Sequence, residues 1–131
     1  MKPRSYGPFP YSPVVRRPKF RWPNGARVAL WIIPNIEYFS LEERPGGYGA
    51  GKVPDVVMWS ERDYGNRVGQ WYLFDLLDEF GFPASHNFNS LLFENCPQIA
   101  ERIRARGDEF VGHGRTNGER QDALDEGEER A

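Results

Sequence analysis

His113 is the residue whose type and setting could most directly do chemistry. It is one of two histidines in the chain and lies between two glycines in the stretch EFVGHGRTNGER, just after a short apolar run. Four residues later, where a second metal-binding histidine would be looked for, the chain has Asn117. Three interpretations are open at this point: half of a metal site, a catalytic group that works without metal, or a polar residue in a turn.

Three apolar runs predict the strands that must position His113. Residues 27–35 (RVALWIIPN) are apolar and β-branched and predict a strand buried on both faces, and residues 83–90 and 108–114 predict two more. After each run come polar residues able to act on a ligand, at positions 35–38, 87–90 and 112–117.

Helical spacing predicts one helix before each of the last two strands. Residues 66–81 predict a helix with Asn66 as a candidate N-cap and Gly81 at its C-terminal cap. Its predicted apolar side consists of Leu73, Leu76, Leu77 and Phe80. Residues 96–107 predict a second helix, with Pro97 in its first turn and Gly107 after its last.

The remaining segments predict a long loop and a polar tail. Residues 36–65 join the first strand to the first helix and form a loop of the length that often covers a functional site. Residues 118–131 have a helical but weakly amphipathic composition. The alternation of strands and helices predicts an α/β fold, as a parallel sheet or a β/α barrel with its chemistry at the carboxyl ends of the strands.

An extended arm precedes this domain. Residues 6–25 mix prolines with aromatic and basic residues, which favours extended backbone over helix. We expect the aromatic side chains to pack onto their own domain or a neighbouring subunit, so that the arm supports a homo-oligomer; a polyproline-recognition ligand is the alternative. These side chains are Phe9, Tyr11, Phe20 and Trp22.

Composition excludes several classes of partner. With 17 basic and 19 acidic residues and a net charge of -2, the chain has no basic footprint for nucleic acid or anionic lipid. Cys96 is the sole cysteine, which excludes an internal disulfide and a thiolate zinc cluster and fits a reducing compartment. No apolar run approaches the roughly 18 residues of a membrane span, and no signal peptide is visible. We therefore expect a soluble, cytoplasmic protein with no nucleic-acid or membrane partner.

Residues 83–117 (PASHNFNSLLFENCPQIAERIRARGDEFVGHGRTN) resemble the core of the polysaccharide deacetylase family, also called the NodB-homology family. The family pattern is a strand ending in Asn-Gly, a helix opening with Pro-Glu, a glycine turn and a strand ending in His-x-x-x-His. Asn89, Pro97, Gly107 and His113 fall in register with it.

Two upstream segments extend the resemblance. WPNGARVALWIIPNIEYF resembles the family's first strand with its paired-acid motif, and DYGNRVG resembles the allantoinase-like branch, which includes cofactor-independent members. The resemblance implies a partial (β/α) barrel of the NodB-homology type with about three parallel strands. Residues 26–131 would form the N-terminal half of that barrel domain, and residues 1–25 the arm.

The metal-binding positions of the family are altered. In metal-dependent members two adjacent aspartates end the first strand, the first a catalytic base and the second a metal ligand, and the histidine pair completes the ligands. Here these positions are Glu37-Tyr38 and His113/Asn117, so one of three expected ligands remains. Because a catalytic zinc normally has three protein ligands, we expect no cofactor; zinc is the metal to expect if one is bound.

The residues that remain suit hydrolysis of an amide-like bond. We expect Glu37 to be the general base that takes a proton from water, and His113 to donate to the oxyanion or to the leaving nitrogen. The expected substrate-binding residues supply neutral hydrogen bonds, positive charge or aromatic cover: Asn35, Asn89 and Asn117, Arg67 and Arg115, and Trp59 and Tyr64.

Each assignment has a structural alternative. Glu37 could be a loop carboxylate paired with an arginine, His113 a satisfied turn histidine, and Arg67 a salt-bridge partner at a helix start. His86 lies within a strand and is predicted to be structural. The glycines of residues 46–51 (GGYGAG) lack the context of a phosphate-binding loop and predict a flexible loop.

The sequence therefore predicts a hydrolase of the polysaccharide deacetylase family that acts on a non-peptide carbon–nitrogen bond of a small amide or ureide. Two alternatives stay open: a metal-dependent N-acetyl-sugar deacetylase with ligands from elsewhere, and a non-catalytic, truncated family member that only binds a ligand. Because three strands cannot close a barrel, we expect these 131 residues alone to be inactive and to aggregate or pair with another copy. A small complete α/β domain covered by its arm is the alternative.

Overall fold

The computed structural model describes residues 9–42, 53–119 and 124–130, and the chain divides into two compact units, Met1–Leu30 and Trp31–Ala131. In the first unit, residues 9–30 contain short 3-10 turns at Val14–Arg16 and Pro23–Gly25. The rings of Phe20 and Trp22 meet edge to face, with centroids 4.7 Å apart. The predicted arm aromatics, including these two, are 44–78% exposed, and their burial against a neighbouring subunit stays a prediction.

The second unit contains an open sheet of three parallel strands: β1 (Asn35–Ile36), β2 (Ser85–Phe88) and β3 (Glu109–Gly112), in the order β1-β2-β3. Asn35 is level with Asn87, and Asn87 with Val111, so the three strands end at one edge of the sheet. The predicted α/β fold with a parallel sheet is confirmed.

The first strand is shorter and less buried than predicted. Its pairing with β2 begins at an isolated bridge between Ile32 and Ala84, and only Ile36 is fully buried. Upstream, Val28, Leu30 and Trp31 are 65–77% exposed, so the prediction of a strand buried on both faces from residue 27 was wrong. The physical reason is that β1 has a partner strand on one side only among the described strands, and Pro34 has no N–H for a ladder on the other.

A long helix replaces the last third of the predicted loop. α1 (Val56–Tyr64) passes through a π turn (Gly65–Gly69) directly into α2 (Gln70–Phe80). Asp55 caps the start of α1 by accepting a hydrogen bond from the Met58 N–H at 3.0 Å. The prediction that Asn66 caps the start of a helix was therefore wrong, because Asn66 lies inside the helix, in the π turn. The glycines at 46–51 lie outside the described residues.

The buried face of α2 differs from the predicted leucine stripe. Gln70, Phe74 and Leu77 are buried at a spacing of four and three residues, whereas Leu76 and Phe80 are 50% and 61% exposed. The π turn takes one extra residue into its turn, which rotates the residues after it around the helix axis. All four predicted residues follow this turn and are shifted together, so the turn does not explain the difference. The leucine spacing was wrong because Phe74 faces the core in place of Leu76 and Phe80, and Leu77 alone belongs to both sets.

The second half of the unit follows the predicted boundaries closely. α3 (Leu92–Asn95) is a single turn, and α4 (Pro97–Arg106) begins at Pro97. Gly81 and Gly107 end α2 and α4 in the left-handed conformation, with φ of 62° and 73°. This confirms both predicted glycine caps, because a side chain at positive φ is strained.

The core lies between the sheet and the helices that follow β1 and β2. It is formed by seven buried hydrophobic residues: Ile36, Phe74, Phe88, Leu92, Ile99, Ala100 and Ile103. Tyr38, Cys96 and Phe110 pack against this cluster.

In the polar tail, α5 (Glu126–Glu129) is a four-residue helix closed by a capping box between Asp125 and Glu128. Across the described residues, no helix has the length and apolar character needed to span a membrane.

Candidate functional site

The carboxyl ends of the three strands are held together by Asn89. Its side chain is fully buried, and its Oδ1 accepts a hydrogen bond from the backbone N–H of Tyr38 at 2.8 Å. Its Nδ2 donates to the carbonyl oxygens of His113 and Gly114. Because both ends of the amide are engaged with backbone, Asn89 positions the ends of β1 and β3 from the end of β2. The structure thus gives Asn89 a positioning role at the predicted site.

Glu37 and His113 meet at this edge of the sheet. The Nε2 atom of His113 lies 3.3 Å from Oε1 of Glu37, although 76 residues separate them in sequence. The side chain of His113 is 34% exposed and that of Glu37 is 23% exposed, so both are partly shielded and still reachable by a solute. The structure thereby brings together the two residues predicted to be catalytic.

Two residues that sequence analysis missed also contact Glu37. Arg62 Nη1 lies 3.8 Å from Oε2 of Glu37, and Arg62 also stacks over the ring of Phe39 at 4.3 Å from its centroid. Asn66 Nδ2 donates to the carbonyl oxygen of Glu37 at 2.8 Å. Arg62 and Asn66 are four residues apart and share one face of the helix. If Asp55 is recognised as the N-cap of a helix over residues 56–64, helical spacing predicts that Arg62 and Asn66 share a face.

A cavity of about 230 Å³ adjoins Glu37. Trp59 lines it, with its indole N–H donating to the carbonyl oxygen of Phe39 at 3.1 Å, as expected for a residue that covers the site. Tyr64, which was predicted to do the same, is 58% exposed and is not among the described residues lining this cavity. Tyr64 therefore lies on the outer side of α1.

The two predicted arginines are both engaged in local ion pairs. Arg67 lines the cavity but pairs with Asp63, one helical turn earlier, and this hydrogen bond and charge raise the pKa of Arg67. Arg115 pairs with Glu119 and lines a wider depression of about 750 Å³, together with His113 and others. The structural alternative for Arg67, a salt bridge, is thus realised, although within the π turn and not at a helix start.

The other two predicted polar residues lie on opposite sides of the Glu37–His113 pair. The backbone N–H of Asn117 donates to the carbonyl oxygen of Tyr38 at 3.0 Å, and Asn117 lines the same depression as His113. Asn35 Oδ1 accepts from Asn87 Nδ2 at 2.8 Å, and Asn35 lines a recess that Glu37 also lines. Since Glu37 and His113 line different depressions and contact each other, the pair lies where these depressions meet.

Cys96 also lines the cavity beside Glu37. Burial, followed by the charge of Asp63, raises the pKa of the Cys96 thiol, while Arg67 opposes the change. A thiol with a raised pKa is mostly protonated at neutral pH and is a poor nucleophile. Cys96 therefore contributes packing here, against the hydrophobic core.

His86, predicted to be structural, is fully buried in a network under the sheet. Its Nε2 lies 3.0 Å from Oδ2 of Asp108, which also accepts from Arg106 Nε at 2.7 Å. Burial raises the pKa of Asp108, but hydrogen bonds from His86, Arg106 and the backbone N–H of Ala84 outweigh it and leave the pKa below its ordinary value. This network ties α4 to the sheet away from the Glu37–His113 pair.

The donor set at the strand ends does not fit a zinc ion. At the ends of β1 and β3 the ionisable side chains that contact each other are Glu37 and His113, and Tyr38 packs against the hydrophobic core. Across residues 9–42, 53–119 and 124–130, no three His, Cys, Asp or Glu side chains are grouped so as to hold a metal ion. A catalytic zinc with three protein ligands cannot be built from these residues.

In comparisons with known proteins, no family model, no curated protein and no solved structure significantly matches this chain. The candidate site therefore rests on the geometry of its own residues.

Proposed function

We propose that this protein hydrolyses a non-peptide carbon–nitrogen bond in a small amide or ureide, with Glu37 as the general base. The observation that carries this proposal is the 3.3 Å contact between Glu37 Oε1 and His113 Nε2 at the carboxyl edge of a parallel sheet. In α/β folds this edge is where catalytic groups collect.

The proposed reaction needs one base, one donor and a water molecule. Glu37 accepts a proton as the water oxygen forms a bond to the substrate carbonyl carbon. His113 donates a hydrogen bond to the oxyanion that develops. As the carbon–nitrogen bond breaks, the proton taken from water passes to the leaving nitrogen, so Glu37 returns to its ionised form.

The local charges suit a neutral substrate. Glu37 already has a cation nearby, since Arg62 lies 3.8 Å from its Oε2, and Arg67 is paired with Asp63. Asn66 lines the same cavity as these charged residues and adds a neutral amide to it. A small amide or ureide can exchange hydrogen bonds with such groups without adding a charge, and the 230 Å³ cavity is suited to a molecule of that size.

The fold and the resemblance support the same reading. The strand order β1-β2-β3, with helices between parallel strands, agrees with the partial (β/α) barrel expected of the NodB-homology family. Within that resemblance, Glu37 and His113 stand at the positions of the family's catalytic base and first histidine. We propose that the protein belongs to the allantoinase-like, metal-independent branch of that family.

A second candidate function is ligand binding without catalysis. The Arg62–Glu37 contact favours it, because a carboxylate held by an arginine is the ordinary structural role of such a residue. The two functions differ in one respect: only the first requires a Glu37 carboxylate that accepts a proton.

A panel of substrates tests the proposal. Protein of natural length is incubated with cyclic ureides, simple amides and N-acetyl sugars, and product amine is measured with and without a chelator. We expect turnover of a ureide or amide that is unaffected by the chelator. Turnover of N-acetyl sugars alone, abolished by the chelator, would instead identify the metal-dependent deacetylase, and binding without turnover would identify the non-catalytic alternative.

A further inference from the structure

Charge is divided unequally along the chain. Residues 1–30 contain seven basic and no acidic residues, whereas residues 31–131 contain all 19 acidic residues and ten basic ones. The net charge of -2 is therefore the sum of a basic segment and an acidic remainder. Because surfaces of opposite charge attract each other, every copy of the chain presents an acidic surface to the basic segment of another copy.

Within the basic segment, residues 19–22 (KFRW) alternate cations with aromatic rings, and we call them the basic-aromatic segment. Phe20 is 70% and Trp22 44% exposed, and their rings meet edge to face, so both lie on one side of the backbone. Arg17 and Trp22 have extended backbone, with φ/ψ of -78°/148° and -67°/150°. In a backbone of this kind, residues two apart in sequence are separated by about 6 Å.

The outer face of α2 has the complementary character. Tyr72, Leu76 and Phe80 recur at every fourth residue and are each at least 50% exposed, and they form an apolar row. Asp75 and Glu79 are exposed beside this row at the same spacing, and no cation of the described residues pairs with either carboxylate. Residues four apart on an α-helix are separated by about 6 Å along its axis. An exposed apolar row bordered by charge is typical of an interaction surface.

We propose that the basic-aromatic segment of one copy docks on the outer face of α2 in a second copy, with its rings on the apolar row and its cations at the acidic row. Charge complementarity favours this occupant, because the segment is purely basic and the charges on that face are acidic. The spacing of about 6 Å on both sides lets two rings and two cations meet their partners at once. A reciprocal exchange gives a symmetric dimer with two such contacts. The proposal does not rest on the proposed hydrolysis.

A charge swap tests the contact in the full chain. One variant carries Lys19→Glu and Arg21→Glu, and the other carries Asp75→Arg and Glu79→Arg. Either variant alone brings like charges together, and the loss of two exposed ion pairs by itself weakens association about 2- to 30-fold in the dissociation constant. Mixed in equal amounts, the two variants should associate with an affinity close to that of the wild type, because both contacts then join opposite charges. Analytical ultracentrifugation measures all three samples.

A matched variant controls for net charge. Glu94→Arg with Glu101→Arg reverses two other exposed carboxylates and should keep the dissociation constant of the wild type. Circular dichroism checks that each variant is folded. If the reversal unfolds α2, Asp75→Asn with Glu79→Gln keeps the side-chain shapes and should still weaken association.

Three results would overturn the proposal. The first is a wild-type chain that stays monomeric, and the second is a pair of variants that do not regain association on mixing, as expected if the segment binds within its own copy. The third is an equal loss of association in the matched variant, which would show an effect of net charge alone.

Discussion

The side chains of His113 and Glu37 approach within 3.3 Å, Nε2 to Oε1, from strands that are not adjacent in the sheet. The contact depends on the intervening strand, because Asn89 at the end of β2 binds the backbone at Tyr38 and at His113. The two residues proposed to be catalytic are thus held at the same edge of the sheet.

We expect Asn89→Ala to loosen the pair. The substitution leaves the backbone N–H of Tyr38 without its acceptor, and an unpaired buried group costs about 1–3 kcal/mol. Chemical denaturation should show a lower free energy of unfolding by at least that amount. Asn95→Ala, which removes an exposed side-chain hydrogen bond to Leu91, is the matched control and should cost less. Equal losses in the two variants would show that Asn89 is not a special tie.

Activity should survive removal of metal ions. The donor set at the strand ends lacks three ionisable ligands, so the proposed reaction uses no metal. Purified protein of natural length should contain substoichiometric zinc by elemental analysis and should keep its turnover after dialysis against a chelator. Stoichiometric zinc, together with activity lost on its removal and restored by its return, would refute this expectation.

The Asp108 network should stabilise the fold. Asp108→Asn removes the buried carboxylate that Arg106 and His86 share, and because Arg106 keeps its pair with Asp78, we expect a loss of about 1–3 kcal/mol. Asp75→Asn, on the exposed side of α2, should change the free energy of unfolding little. A loss at Asp108 no larger than that at Asp75 would mean that the network contributes nothing.

The same network sets an acid limit to stability. Because the pKa of Asp108 is lower in the folded protein than in the unfolded chain, its contribution is complete above the unfolded value of about 3.9. It is lost as the pH falls from there through the folded pKa. Unfolding measured across this range should show wild-type stability falling toward that of Asp108→Asn, and two parallel profiles would contradict the assignment.

The 131-residue chain should self-associate. Hydrophobic side chains that would be buried by a partner are exposed at Val28, Leu30 and Trp31, and in the arm at Phe20 and Trp22. Light scattering after size-exclusion chromatography should give a mass above 15.1 kDa. Replacing both Phe20 and Trp22 by Ser should shift the mass toward the monomer if the arm mediates association. A monodisperse wild-type monomer would show that the chain needs no partner.

The sequence predicted the second half of the fold better than the first. Pro97, Gly81 and Gly107 specify helix ends through backbone geometry, which is local and therefore readable. The helix at residues 56–64 (VVMWSERDY) was missed because it buries no residue fully and therefore shows no clear apolar stripe. Gln70 was missed because a polar residue gives no hydrophobic signal at a buried position.

The candidate site was predictable only in part. Strand ends could be located from apolar runs, which placed Glu37 and His113 at one edge of the sheet. Arg62 could not be placed, because its approach to Glu37 depends on a helix that the pattern did not reveal. The engagement of Asn89 with backbone could not be predicted either, because it depends on how the three strand ends pack.

The most direct test of the account is the turnover of Glu37→Gln. The substitution keeps the shape of the side chain and removes its ability to take a proton from water. With protein of natural length and the best ureide or amide substrate, we expect kcat to fall about 10²–10⁴-fold with substrate affinity largely kept. Glu101→Gln, on the exposed face of α4, should leave kcat unchanged. An unchanged kcat in Glu37→Gln would contradict the central claim and place the chemistry elsewhere.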